Sequence, residues 1–256
     1  MPINIQPILI SMELILQDVL KPNFVTPQYP AAFREIAIPV PTPPGVTNLP
    51  SFIYFDLDNQ FTLTQEQGIK DAISLVLFNW FHHLRQKWNG GANNGISNLA
   101  ACNNVYAIRN LQPAWYTGPR IPNGLVATNI AMDQFTRLIR DNGLRLAPKA
   151  KIFAGSLDND SLTLALTALN RTKVPLSFIV DLSKVGNIGI DAGSIMHAWL
   201  HRAGFYNPNT TSYFITECSM CIMRDYELKN LFLPDSAFYK FLANDEEVKS
   251  VRDIQS

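Results

Sequence analysis

The chain has no excess of either charge: Lys plus Arg number 21, and so do Asp plus Glu. With no long basic run either, the charge pattern gives no reason to expect nucleic acid or an anionic membrane surface as a partner. An uninterrupted apolar run long enough to span a bilayer is also missing. The first segment, MPINIQPILISMELILQDVLKPN, lacks a basic leader and carries Glu13 and Asp18 within its apolar part, so it does not read as a signal peptide. That leaves the compartment open between a mature secreted form and a cytoplasmic one. Cysteines are few and odd in number, Cys102, Cys218 and Cys221, which excludes a disulfide-dense secreted scaffold. Histidines number only four, and the candidate chemistry rests on two of them.

What the chain has in quantity is apolar residues. At 47% hydrophobic over 256 residues it can bury a full core, as one large domain or as two closely joined lobes. Ile5 to Leu20 mixes helical and strand spacing, and its type stays open. Pro27 to Pro50 contains PVPTPPG and is expected to be an extended wrapping segment or a linker. Residues 1–50 are therefore set apart as an amino-terminal extension, with the main domain at 51–256. Phe52 to Leu57 reads as a buried strand.

A long helix is expected after Thr64, capped through Gln67 and running to about Trp88. Its inner face is Ile69, Ala72, Ile73, Val76, Leu77, Trp80 and Leu84, at spacings of three and four. His82 and His83, near its end, are assigned a capping or solvated role. Asn89 to Asn104 is expected to be a loop, Val105 to Ile108 a strand, and Asn129 to Arg140 a second helix with Gly143 beyond it. Trp115 and Tyr116 lie in a stretch that either presents aromatics for recognition or pins an irregular connection. A short strand follows at Lys151 to Ala154, then a helix across LTLALTALN capped by Asp158 or Asp160, and a strand from Val174 to Leu182.

The chemically specific segment is DAGSIMHAWLHRAGFYN, Asp191 to Asn207. As a helix from about Asp191 to Ala203 it places His197 and His201 one turn apart on one face, where both imidazoles can reach one metal ion. Gly204 can then take the left-handed conformation and turn the chain so that Asn207 comes back towards the same point. Beyond it come an expected strand at Ser212 to Thr216, the run ECSMCIMRDY, a short helix at Asp235 to Leu242 and a polar tail from Asn244. Read without reference to any family, HxxxH also fits two ordinary helix residues.

This segment resembles the zinc-binding helix of the metzincin metallopeptidases, HExxHxxGxxH followed by a methionine-containing turn. His197, His201 and Gly204 match. Ala198 stands where that family has its catalytic glutamate, and Asn207 where it has the third ligand. The order of elements from about Phe61 to Met223 follows the family more loosely. The resemblance implies an α+β fold with a twisted mixed sheet, a long early helix and a metal-site helix. It also implies an upper lobe of about 51–204 and an irregular lower lobe of about 205–256. It further implies zinc at His197 and His201 with Asn207 as a weak third ligand, Met220 or Met223 in the methionine turn, Tyr226 near a substrate oxyanion, and a polypeptide as substrate or partner.

Alanine at 198 cannot take the proton of a metal-bound water or hand it to a leaving amine, so the chain as written is expected to be an impaired peptidase. Either natural divergence or deliberate removal of the glutamate accounts for it. Asp191 and Glu217 are the substitute bases to consider, and Asp191 fits better as the helix's cap or entry residue. A competing reading pairs Cys218 and Cys221 with the two histidines as a closed structural zinc site, or leaves a non-enzymatic, toxin-like binding protein without metal.

Overall fold

The computed structural model describes residues 32–141, 144, 149–155, 177–182, 186–205, 214–229 and 248–250. The expected helix across LTLALTALN, the helix at Asp235 to Leu242, Gly143, Asn207 and the segment Ile5 to Leu20 lie outside them. The architecture is α+β, with a five-stranded mixed sheet in the order β1-β2-β3-β4-β5.

Strand β1, Phe33–Pro39, pairs antiparallel with β2, Phe52–Asp58, from Phe33 opposite Asp58 to Pro39 opposite Phe52. Part of the proline-rich stretch expected only to wrap or link is therefore an edge strand. The reason lies in FREIAIPV, whose Ile36, Ile38 and Val40 alternate inward. Pro39 ends the strand at an edge, where a missing N–H is tolerated. Strand β3, Lys151–Gly155, lies parallel to β2 and to β4, Phe178–Asp181. Antiparallel to β4 runs β5, Val248–Ser250, so part of the polar tail is paired.

Helix α1, Leu63–Trp88, packs its expected face inward, and all seven named residues are buried. Its cap is the earlier of two overlapping boxes: Thr62 accepts from Gln65 N–H, and Gln65 reaches back to Thr62 N–H. Buried Phe61 and its carbonyl, which accepts from Arg34 at 2.8 Å, fix the chain there. Arg34 also pairs with Glu66 at 2.7 Å, joining β1 to the first turn of α1. Lys70, and after it Arg34, hold the Glu66 carboxyl below its ordinary pKa against the opposing effect of burial.

The Asn/Gly-rich stretch expected to be a loop holds a short 3-10 turn, Asn89–Gly91, and helix α2, Asn98–Tyr106, capped by Ser97. Tyr106 is its last residue, so no strand forms at Val105 to Ile108. Helix α3, Gly124–Arg140, starts five residues before the expected position because Asn123 caps it. The close approach of α2 and α3 depends on Gly124, where a Cβ would lie 2.3 Å from the Asn103 carbonyl oxygen. Trp80 Nε1 donates to Thr136 Oγ1 at 3.0 Å and ties α1 to α3.

His83 is neither a cap nor solvated. It is buried on the inner side of α1, with Nδ1 2.7 Å from the Ser97 hydroxyl that caps α2. Burial, aided by Lys87, pulls its pKa down to about 3. The folded protein thus resists a proton that the unfolded chain takes up near pH 6.5. Stability conferred by neutral His83 is complete above that pH and is lost as pH falls towards 3, at roughly 1.4 kcal/mol per pH unit. Urea melts between pH 7 and 4 are expected to show this slope in the wild type and a shallower one in His83→Gln.

Candidate functional site

Helix α4, Ile188–Arg202, carries the histidine pair. It begins three residues earlier than expected, because Asn187 Oδ1 accepts from the N–H groups of Gly189 and Ile190 at 3.1 and 3.2 Å. Asp191 is therefore not the cap. It is buried in the first turn, and its Oδ2 accepts from Gly186 N–H at 3.3 Å.

Trp199 fixes how α4 is turned. Its ring stacks on Phe55 of β2 with centroids 6.3 Å apart, and meets Phe135 of α3 edge-on at 6.1 Å. His197 and His201 are each two residues from Trp199, about 200° around the helix, so seating Trp199 against the sheet turns both imidazoles to the opposite side. Helix α5, Phe214–Met223, packs against α4. Gly193 lies on the same stripe one turn before His197, and a Cβ there would be 2.4 Å from Met223 Cγ.

The two imidazoles are 2% and 4% exposed, and their ring centroids lie 5.0 Å apart at 75°. Two histidines bound to one tetrahedral zinc by bonds of about 2.1 Å place their ring centroids about 5 Å apart, so the spacing fits. His201 Nδ1 donates to the Phe205 carbonyl at 3.1 Å, a bond that sets the tautomer and orients the ring, as in many metal-bound histidines. Among the described residues no group of three His, Cys, Asp or Glu is placed to hold a metal. The residue assigned as third ligand, Asn207, is outside them.

The turn after α4 is built on Gly204, at φ +103°. Gly204 N–H donates to the His201 carbonyl at 3.0 Å and Phe205 N–H to the Leu200 carbonyl at 3.1 Å, the paired bonds of a Schellman stop. Trp115 pins the connection in its loop while its ring stays partly exposed. Its indole N–H donates to the Ala203 carbonyl at 2.7 Å, and Ala114 N–H donates to the Gly204 carbonyl at 2.9 Å.

Helix α5 replaces the strand expected to reach Thr216 and the methionine turn expected in ECSMCIMR. In this mostly apolar run the polar Thr216, Glu217 and Ser219 mark neither period, so strand and helix are not separated, and here it is buried from Phe214 to Ile222. Met220 is buried within α5, while Met223 ends it against Gly193. The chain then turns through Asp225 and Tyr226 at φ 50° and 63°. The Tyr226 hydroxyl donates to Asn79 Oδ1 of α1, and burial raises its pKa. Glu217 is buried on α5 and its Oε1 is paired with Lys229 at 3.0 Å.

The sulfur atoms correct the competing metal site. Cys221 forms a disulfide with Cys102, joining α5 to α2 across 119 residues. Cys218 and Cys221 are therefore not a pair of thiolates, and the two-cysteine, two-histidine set is not assembled. Cys218 is free and wholly buried, and burial pushes its thiol up to about 12. This pairing had no sequence signal beyond cysteine count, because residues 119 apart give no local spacing to read.

No family model, curated protein or solved structure matches the chain.

An alanine at 204 would take a left-handed φ and place its Cβ 2.5 Å from the Trp115 ring. Gly204→Ala is expected to cost about 1–3 kcal/mol in urea unfolding and to alter Trp115 fluorescence, whereas Gly90→Ala should leave that emission unchanged.

Proposed function

We propose that this chain is a metzincin-like zinc-metallopeptidase homologue that acts on or binds polypeptides and is catalytically impaired as written. The observation that carries the reading is the geometry of His197 and His201, one turn apart on α4 with rings at a zinc-compatible spacing. The anchoring of His201 by Phe205 and the left-handed Gly204 immediately after the helix add to it. So does the packing of the long helix α1 against α4.

Zinc is the metal that two neutral imidazoles and an oxygen donor suit, with His197 and His201 as the strong ligands and Asn207 as a weak third. When bound, it would polarise a carbonyl and acidify a water. The residue beside His197 is Ala198, which has no group to accept or deliver a proton. Neither alternative base is well suited: Asp191 is engaged in the first turn of α4, and Glu217 is paired with Lys229. Tyr226, directed to Asn79, serves first to join the turn after α5 to α1.

The depth of the histidine pair favours a second reading, a non-enzymatic binding protein that keeps the peptidase scaffold. Elemental mass spectrometry of the purified chain, of Ala198→Glu and of His197→Ala, with all three assayed on unfolded protein substrates, separates the two. The peptidase-homologue reading expects about one zinc per chain, lost in His197→Ala, with cleavage only by Ala198→Glu. Absence of metal from all three, with no cleavage, would leave the binding protein.

A further inference from the structure

Beyond α2 the chain forms a cleft of about 550 Å³, lined among the described residues by Arg109, Arg120, Asn110 and Gln112 over Leu111 and Ile121. Its apolar floor is fixed: Leu111 and Ile121 are buried. One wall is tied to the histidine helix and to α5. Phe214 N–H, at the start of α5, donates to the Arg109 carbonyl at 3.2 Å, while Ala114 and Trp115 hold the turn after α4. The cleft is thus preformed on the elements that carry the candidate site.

Among the described residues its charge has no acidic partner. The ion pairs among the described residues engage Arg34, Lys70, Lys87, Lys149, Lys151 and Lys229, and neither Arg109 nor Arg120. In a chain of zero formal net charge, two guanidinium groups on one cavity with no acidic partner among the described residues form a local positive patch. Guanidinium forks match the planar two-oxygen geometry of a carboxylate. The amides of Asn110 and Gln112 can both donate and accept, as a peptide backbone requires.

We propose that this cleft binds an acidic segment of a polypeptide, with Arg109 and Arg120 receiving a Glu or Asp carboxylate. The inference rests on the polypeptide reading above and specifies the class of chain it takes; it does not depend on metal. Both arginines are exposed, so replacing them leaves the core untouched.

Fluorescence anisotropy on the full chain tests it, using a labelled ten-residue peptide with two central glutamates and its glutamine counterpart. The glutamate peptide is expected to bind the wild type more tightly than the glutamine peptide. Affinity should fall roughly tenfold in Arg109→Gln or Arg120→Gln and further in the double variant, with the wild-type preference weakening as salt rises. Arg109→Lys, which keeps the charge and loses the fork, should fall between. Equal binding of both peptides, unchanged in the double variant, would overturn the acidic cleft and leave the polypeptide reading standing. Binding of neither peptide would likewise overturn the acidic cleft, with the polypeptide reading decided by the metal and cleavage assays above.

Discussion

The seating of Trp199 between Phe55 and Phe135 is the constraint on which the candidate site depends. A helix as apolar as α4 has several faces that could meet the core, and the largest side chain decides among them. Once Trp199 lies on the sheet, the stripe Gly193, His197, His201 lies on the opposite side of the helix. Gly193 lets Met223 approach, and the two histidines follow on successive turns. The site is thus a consequence of aromatic packing on the far side of its own helix.

Around that helix the chain has fixed its neighbours by unlike means. A disulfide joins α5 to α2, a hydroxyl to amide bond joins the turn after α5 to α1, and an indole N–H holds the last turn of α4. Polar groups this deep must find partners or cost free energy, and many are spent on joining elements. Asn79 illustrates it: Nδ2 donates to the Leu75 carbonyl, and Oδ1 accepts from Tyr226. Such bonds fix relative helix positions, which burial of apolar area alone does not.

The elements legible in sequence were those whose pattern and packing agree. Helix α1 repeats its apolar residues at three and four over its whole length, and α4 has both a spacing of four and a glycine stop. Where local pattern and tertiary context part, the reading fails. Helix α2 is hidden in an Asn/Gly-rich stretch because its helicity depends on burying Leu99, Ala100 and Cys102. The edge strand β1 is masked by prolines on its flanks, and α5 by an apolar run with no period. Adjacent histidines at a helix end read as capping or solvated, yet His83 lies on the inner face. In the candidate site the histidine spacing, the glycine turn and the alanine at 198 could be read directly. The orientation of the pair, the anchoring of His201 and the removal of Cys221 as a thiolate could not, because each depends on a residue distant in sequence or on a backbone carbonyl.

The most direct test of this account is to follow the imidazole nitrogens of the full chain by NMR as zinc is added. If α4 presents a metal site, the signals of His197 and His201 shift together and saturate at about one equivalent, with His82 and His83 unmoved. Signals of His197 and His201 that stay in place, or that respond independently of each other, would contradict it.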